Sequence, residues 1–535
     1  MPTPDPARLR KLPIGLQNLR EIVTDGYCYV DKTMHALALA EGGKYYFLSR
    51  PRRFGKSLFL DTLKELFEGN EPLFRGLHIH DRWDWSRRHP AIRLDFSAGI
   101  LESRDDLDRH IRYLLRDAAR RLGLPCDPER DGIPGAFSEL IREAQAQSGQ
   151  GVVILVDECD KPILDNIDHP ERAAEVREGL KNLYSAMKGR DAELRFVFMT
   201  GVTKFSKVSL FSGINQLQDL TLDPRYATLC GYTQNDLETV FADHLAGVDW
   251  DQLRRWYNGY GFLGEPVYNP FDILLFISQG RTYRNYWFET GSPSFLIKLF
   301  QRRRYFLPDL ESVEASEEIL DSFDIERIDP VTLLFQTGYL TIASTRWHRS
   351  RLLYRLRLPN QEVAMALADH LIEGYAGPLP GGRDRHQDAL YDTLIRGDVP
   401  GLLAAIRRLF AGIPWRNFTY SDLPEYEGYY ASVLYAFFVS LNAEVIPEDI
   451  GHHGQVDLTI KLEGYIYVIE IKVERGGTAP APDQDAPAAN PALAQIQARG
   501  YSAKYRGLPA RGLFEVGLVF DPEARNLARG DWAAV

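Results

Sequence analysis

The chain has 535 residues, 44% hydrophobic and 12% aromatic, enough apolar material for two or three cores rather than one. Its formal net charge of −11 excludes coating of nucleic acid by bulk electrostatics, so any such contact has to be local. Four cysteines without CxxC spacing exclude a metal ribbon or disulfide scaffold, and neither a bilayer-spanning apolar run nor a signal-peptide core is evident, so a cytoplasmic protein with no membrane partner is expected.

In chain order, the first informative stretch is an apolar strand at Tyr45–Ser49, followed by a loop and by Gly55-Lys56-Ser57 opening a helical pattern, LFLDTLKELF. Strand, loop and helix start are the context of a phosphate-binding P-loop, where unsatisfied helix N–H groups face the anion. Lys56 is expected to reach the β- and γ-phosphates of ATP and Ser57 to ligate Mg²⁺, with Arg53, Phe54, Gly55 and Leu58 completing the nucleotide-binding set. The general pattern GxxxxGK[ST] has glycine where this chain has Arg50, so the loop must turn on other residues.

A further strand is expected at Ala91–Phe96, and the run GVVILVDE at Gly151–Glu158 reads as a buried parallel strand with its charges at the C-terminal edge, where α/β sheets place ligands. Asp157 is expected to hold the Mg²⁺ shell and Glu158 to orient or activate the attacking water. Leu194–Met199 supplies another strand, followed by Thr200 as a polar sensor of the γ-phosphate. Strands alternating with helical stretches predict a parallel sheet wound with helices.

Beyond Gly231 helical periodicity dominates, starting from the capping signal Thr233-Gln234-Asn235-Asp236. Residues 330–375 predict a helix, a strand (Tyr339–Ser344), a basic connection, a second strand (Leu352–Leu358) and another helix, a winged-helix pattern that can touch a nucleic-acid backbone or pack on the motor. Two basic patches interleaved with aromatics stand out, Arg302–Arg304 with Tyr305 and Thr345–Arg357. The Gly/Pro-rich stretch Gly374–His386 is the expected domain boundary, which divides the chain into a motor (1–230), a helical lid and winged-helix region (231–378) and a C-terminal domain (385–535).

In that last domain Glu463-Gly464 lies between two strand-like runs. A two-residue hairpin there pairs Leu462 with Tyr465, and the same register opposes Asp457 and Glu470. Directly opposite residues share a face about 4.5–5.5 Å apart, where two carboxylates repel unless a cation neutralises them. Lys472 points to the same face, while Tyr467, Ile469 and Ile471 fill the other. Asp457 and Glu470 holding Mg²⁺, with Lys472 positioning water and stabilising developing charge, suits phosphodiester hydrolysis.

The strings YVDKT at Tyr29, RPRRFGKS at Arg50, VDECDKP at Val156, TGVTKFSKVSLFSGINQLQDLT at Thr200, GYTQNDL at Gly231, WYNGY at Trp256, VYNPFDI at Val267 and NYWFETG at Asn285 resemble the bacterial AAA-ATPase-like proteins with a C-terminal PD-(D/E)XK nuclease domain. The resemblance implies an α/β fold: a P-loop NTPase sheet with helices on both faces, a helical and winged-helix middle, and an α/β nuclease-like domain. It implies that Arg50 is the family's own form of the loop, and that the helix from Tyr426–Phe438 contributes Glu427 as a supporting carboxylate. The helix Ala492–Tyr501 resembles the one in which Gln495 and Tyr501 face the site. His452 and His453 read as loop residues, and Arg475–Pro491 as a loop too rich in Pro, Ala and Asp to pack. The expected protein is an ATP-regulated nuclease acting on nucleic acid, DNA ahead of RNA, with self-association into a homo-oligomer left open. The alternative is a nucleotide-dependent binding or signalling ATPase whose C-terminal domain binds without cutting.

Overall fold

The computed structural model describes residues 9–203, 216–286, 300, 306–311, 313–321, 329–414, 427–474 and 489–535. The basic patch Arg302–Arg304 with Tyr305, residues 204–215 of the TGVTKFSKVSLFSGINQLQDLT string, the end of NYWFETG, Tyr426 and residues 475–488 of the Pro/Ala/Asp-rich stretch lie outside the described residues. Two compact units emerge: residues 1–287 with 314–360, and residues 288–313 with 361–535.

In the first unit the helices α1 (Leu19–Thr24) and α2 (Thr33–Gly42) precede strand β1 (Tyr45–Ser49) and helix α3 (Lys56–Phe67). Then come β2 (Ala91–Asp95), α4 (Arg104–Leu122), α5 (Pro128–Ser148), β3 (Val152–Asp157), α6 (Lys161–Leu164), α7 (Pro170–Lys188), β4 (Leu194–Gly201) and the short β5 (Gln218–Asp219). The five strands pair in parallel in the order β2-β3-β4-β1-β5. Both faces are covered, which is why β1 and β3 are unbroken apolar runs rather than alternating ones. Phe47, Ile154, Val156, Val197 and Met199 pack with the buried stripes of α4, α5 and α7. On the opposite face Phe196 and Phe198 meet Phe67 and Phe59 of α3 at ring separations of 5.0 and 5.6 Å. This is the P-loop NTPase sheet expected from the sequence, and it puts the C-terminal ends of β1, β3 and β4 side by side.

The capping signal at Thr233 forms as read: the Thr233 hydroxyl accepts from the Asp236 amide while the Asp236 carboxylate accepts from the Thr233 amide, starting the helix Gln234–Val240. Further along, a three-stranded sheet runs β6-β8-β7, with β6 at Val313–Ser316, β7 at Thr341–His348 and β8 at Arg351–Arg357. Here the strands are longer than the sequence reading allowed, because the residues taken as a basic connection are themselves paired up to His348 and Arg351. Only Arg349 and Ser350 turn the chain, both at positive φ (44° and 67°), as tight two-residue hairpins require.

The second unit is built on the sheet β13-β12-β11-β10-β9, from β9 (Glu444–Gly451), β10 (Gly454–Leu462), β11 (Tyr465–Val473), β12 (Gly512–Asp521) and β13 (Asn526–Ala534). Only the β11–β12 pair is parallel, and the chain crosses between those two strands through the helix Pro491–Arg499. This is the PD-(D/E)XK core expected from the sequence. The Gly/Pro-rich stretch at 374–386 lies inside this unit: the helix Gln361–Ala376 before it packs on the helix Glu427–Ser440, with Tyr429 donating to the Tyr375 carbonyl. Its glycines and prolines turn the chain between two helices instead of separating units. Among the described residues no helix is long and apolar enough to cross a membrane.

Candidate functional site

At the first site, Gly55 caps α3 in the left-handed region (φ 93°), with open space where a Cβ would stand, and Arg53 also takes a positive φ of 68°. These two residues make the turn that a first-position glycine would otherwise share. Arg50 does something different. Its guanidinium is fully buried and donates to the carbonyls of Ser49, Thr221 and Tyr226 at 2.9, 2.9 and 3.2 Å, and it stacks 3.9 Å above the Phe262 ring. Arg53 stacks 3.8 Å over Phe271 and Phe54 packs edge-on to Tyr260, so both side chains brace the loop.

Lys56 is buried, donates to the carbonyls of Arg50 and Pro51 at 3.0 and 3.2 Å, and lies 3.5 Å from the Glu158 carboxylate. Glu158 itself sits just past β3 at a positive φ of 50°. Asp157 ends β3 fully buried, accepts from the Thr200 hydroxyl at 2.8 Å, and shares a hydrogen bond with Ser57. Burial pushes its carboxyl above the usual range, against the Ser57 and Thr200 hydrogen bonds that lower it. The fold thus brings Lys56, Ser57, Asp157, Glu158 and Thr200 together at one sheet edge. Leu58 stands in the first turn of α3 beside them.

Four residues of this site, Arg93, Asp95, Asp61 and Asp160, are not among those the sequence singles out. Arg93 of β2 bridges Asp157 (3.3 Å), Asp95 (3.5 Å) and Asp61 of α3 (3.4 Å), supplying the positive charge that lets buried carboxylates cluster. The alternation of β2 puts Arg93 and Asp95 on one polar face, but their partners are remote in the chain. Asp160 is fully buried and accepts from the amides of Val202 and Thr203 and from the Thr203 hydroxyl, tying the turn after β3 to the end of β4. Burial raises its carboxyl to about 6.

At the second site, β10 and β11 take the predicted register, with Leu462 opposite Tyr465 and Leu458 opposite Ile469. The backbone ladder stops there, one residue short of Asp457 and Glu470. In its place the Asp457 carboxylate accepts the Ile471 amide at 2.6 Å, so the strands part where the acidic side chains meet. Lys472 lies 3.1 Å from Glu470 Oε1, which also accepts from Gln495 of the crossover helix. Glu470 Oε2 is buried with no hydrogen-bond partner. Burial first and the Asp457 charge second push the Glu470 carboxyl up to about 7, and burial raises Asp457 as well.

Glu427, at the exposed start of its helix, lies 4.0 Å from Lys472 and accepts from the Val473 amide at 3.4 Å, so it borders the pair. Tyr467, Ile469 and Ile471 are buried on the other face, with the Tyr467 hydroxyl donating to the Leu394 carbonyl. Gln495 reaches the site as expected, whereas Tyr501 packs with Val456 and Ile496 in the core, its helix having ended at Arg499. His452 and His453 are exposed at the β9–β10 turn. An orphaned carboxylate oxygen beside a second acid, both destabilised as bare anions by burial, offers the oxygen ligands that fit a hard divalent cation, with the Lys472 ammonium adjacent. Among the described residues no group of three or more Asp, Glu, His or Cys side chains is gathered for a cation.

Comparison with known proteins finds a match over each of the two regions. Residues 13–211 match the family described as a predicted AAA-ATPase, and residues 425–530 match the PD-(D/E)XK nuclease superfamily. A protein of Azotobacter chroococcum mcd 1, described as an uncharacterized protein in the vnfD 5' region, is 48% identical over 521 residues, covering 97% of this chain and 98% of that protein. The chain belongs to the AAA-ATPase-like family. In this AAA-ATPase-like chain the first match covers the loop, Asp157 and Thr200, and the second covers Glu427, Asp457, Glu470, Lys472 and Gln495.

Proposed function

We propose that this protein is an ATPase whose nucleotide state regulates a divalent-metal-dependent nuclease carried on the same chain, acting on DNA ahead of RNA. The observation that carries the reading is the buried, partnerless oxygen of Glu470 beside Asp457 and Lys472 at the point where β10 and β11 part. Asp457 and Glu470 would hold Mg²⁺, which when bound polarises a phosphodiester and lowers the pKa of water. Lys472 orients the attacking water and balances charge on the phosphoryl oxygens, and Gln495 fixes the Glu470 rotamer. Glu427 holds Lys472 from its far side.

At the other site Lys56 exchanges its carbonyl partners for nucleotide phosphates, Ser57 and Asp157 would hold the accompanying Mg²⁺, and Thr200 fixes the Asp157 carboxylate. Glu158, at 3.5 Å from Lys56, would orient the attacking water. Handling of foreign or mobile DNA in the cytoplasm is a natural use for such a pairing.

The test is cleavage of single- and double-stranded DNA and RNA in Mg²⁺, with and without ATP. Wild type is expected to cut, Asp457→Ala to lose at least about 10²–10³-fold in rate, and Lys56→Ala to remove the ATP dependence while cleavage chemistry survives. ATP hydrolysis without cleavage of any probe would leave a binding or signalling ATPase as the better reading.

A further inference from the structure

The outer half of the β7–β8 hairpin serves no core. Every residue from Ala343 to Arg351 is exposed, yet the strands stay paired to the tip. Period-two alternation sorts its side chains onto two faces. One face carries Trp347, opposed to Leu352, beyond the buried Tyr354 and Leu356 that anchor the base. The other carries Arg346, His348, Arg351, Arg355 and Arg357. Glu314 of β6 binds Arg346 through both oxygens at 2.8 and 2.7 Å, clamping the hairpin, while the other arginines line the same face.

Trp347 is 74% exposed, an apolar plane held in water on a rigid support. A bare indole on one face and a row of guanidinium groups on the other, in a chain of net charge −11, complement a polyanion that also offers a π-surface. Within a continuous duplex the base faces are covered by stacking, and only where it ends is a base pair open on one side. We propose that this hairpin engages nucleic acid at a junction between duplex and diverging strands. Trp347 stacks on the last base pair, and the arginine face contacts phosphates of the strand that leaves. This rests on the nucleic-acid reading above and adds the substrate form it selects.

The test is fluorescence anisotropy on the full chain in EDTA, with labelled forked DNA, blunt duplex of the same sequence and single strand. Wild type is expected to prefer the fork. Trp347→Ala should weaken binding about 10-fold to the fork and to the blunt duplex, each of which ends in an open base pair, and Trp347→Phe should restore most of it. Arg351→Ala with Arg355→Ala should lower the salt dependence on every probe by about one to two contacts. Equal fork binding by wild type and Trp347→Ala, with unchanged melting curves, overturns the proposal, as does failure of wild type to bind any probe, which points to a protein partner. Cleavage of the same DNA in Mg²⁺, lost in Asp457→Ala, is read separately, so the hairpin proposal can fail while the nuclease reading stands, and the reverse.

Discussion

Glu470→Gln is expected to abolish nucleic-acid cleavage, by about 10³-fold or more, while making the metal-free protein more stable. The carboxyl is 2% exposed, one of its oxygens has no partner, and burial with the Asp457 charge lifts it from an ordinary 4.5 to about 7. Because the folded value is raised, the native state binds this proton more tightly than the unfolded chain. Its contribution is therefore fully present below about 4.5, falls as pH rises toward about 7, and is flat above. Glutamine keeps the acceptor for Gln495 and offers its amide where the orphaned oxygen stood, so at pH 8 in EDTA the variant should gain about 1–3 kcal/mol, a few degrees in melting temperature. Mg²⁺ should stabilise wild type above pH 7 and leave the variant unmoved. Scanning calorimetry at pH 5, 7 and 8.5, with EDTA or Mg²⁺, reads all three expectations, and a variant that melts lower than wild type in EDTA at pH 8 would contradict a site built for a cation.

Arg50→Gly is expected to restore the general P-loop pattern and to damage the protein. Burial pulls the guanidinium down to about 10, which leaves it charged at neutral pH and dependent on the three carbonyls and the Phe262 face around it. Glycine would strand those carbonyls and open a cavity of arginine size, a loss of about 3–5 kcal/mol. Arg50→Lys should recover only part of it, since a single ammonium cannot span acceptors on Ser49, Thr221 and Tyr226. Urea unfolding of the full chain, read beside ATP binding, checks this. Wild-type stability in the glycine variant would show the arginine to be an ordinary loop residue.

The sequence declared most strongly what burial and local geometry dictate together. Strands β1, β3 and β4 are legible because parallel strands covered on both faces read as uninterrupted apolar runs, and the β10–β11 register follows from a two-residue turn. The length of β7 was not legible, since exposed residues such as Arg346 and His348 leave no burial rhythm and the pairing partner alone makes them a strand. Arg93 was missed for another reason: Asp61 and Asp157, which give it meaning, lie on different elements and meet only in the folded sheet. Gly374–His386 turns the chain between two helices of the second unit, and glycine and proline mark such a turn whether it lies within a unit or between two.

The hydrogen bond from the Ile471 amide to Asp457 has a dynamic consequence. That proton is held by a carboxylate rather than by a partner strand, at a place where the ladder has already opened, so its exchange with solvent reports the charge of Asp457 instead of global unfolding. A cation that pins the carboxylate would slow this exchange while amides deeper in β11 kept their rates, making one backbone position a built-in gauge of whether the site is loaded.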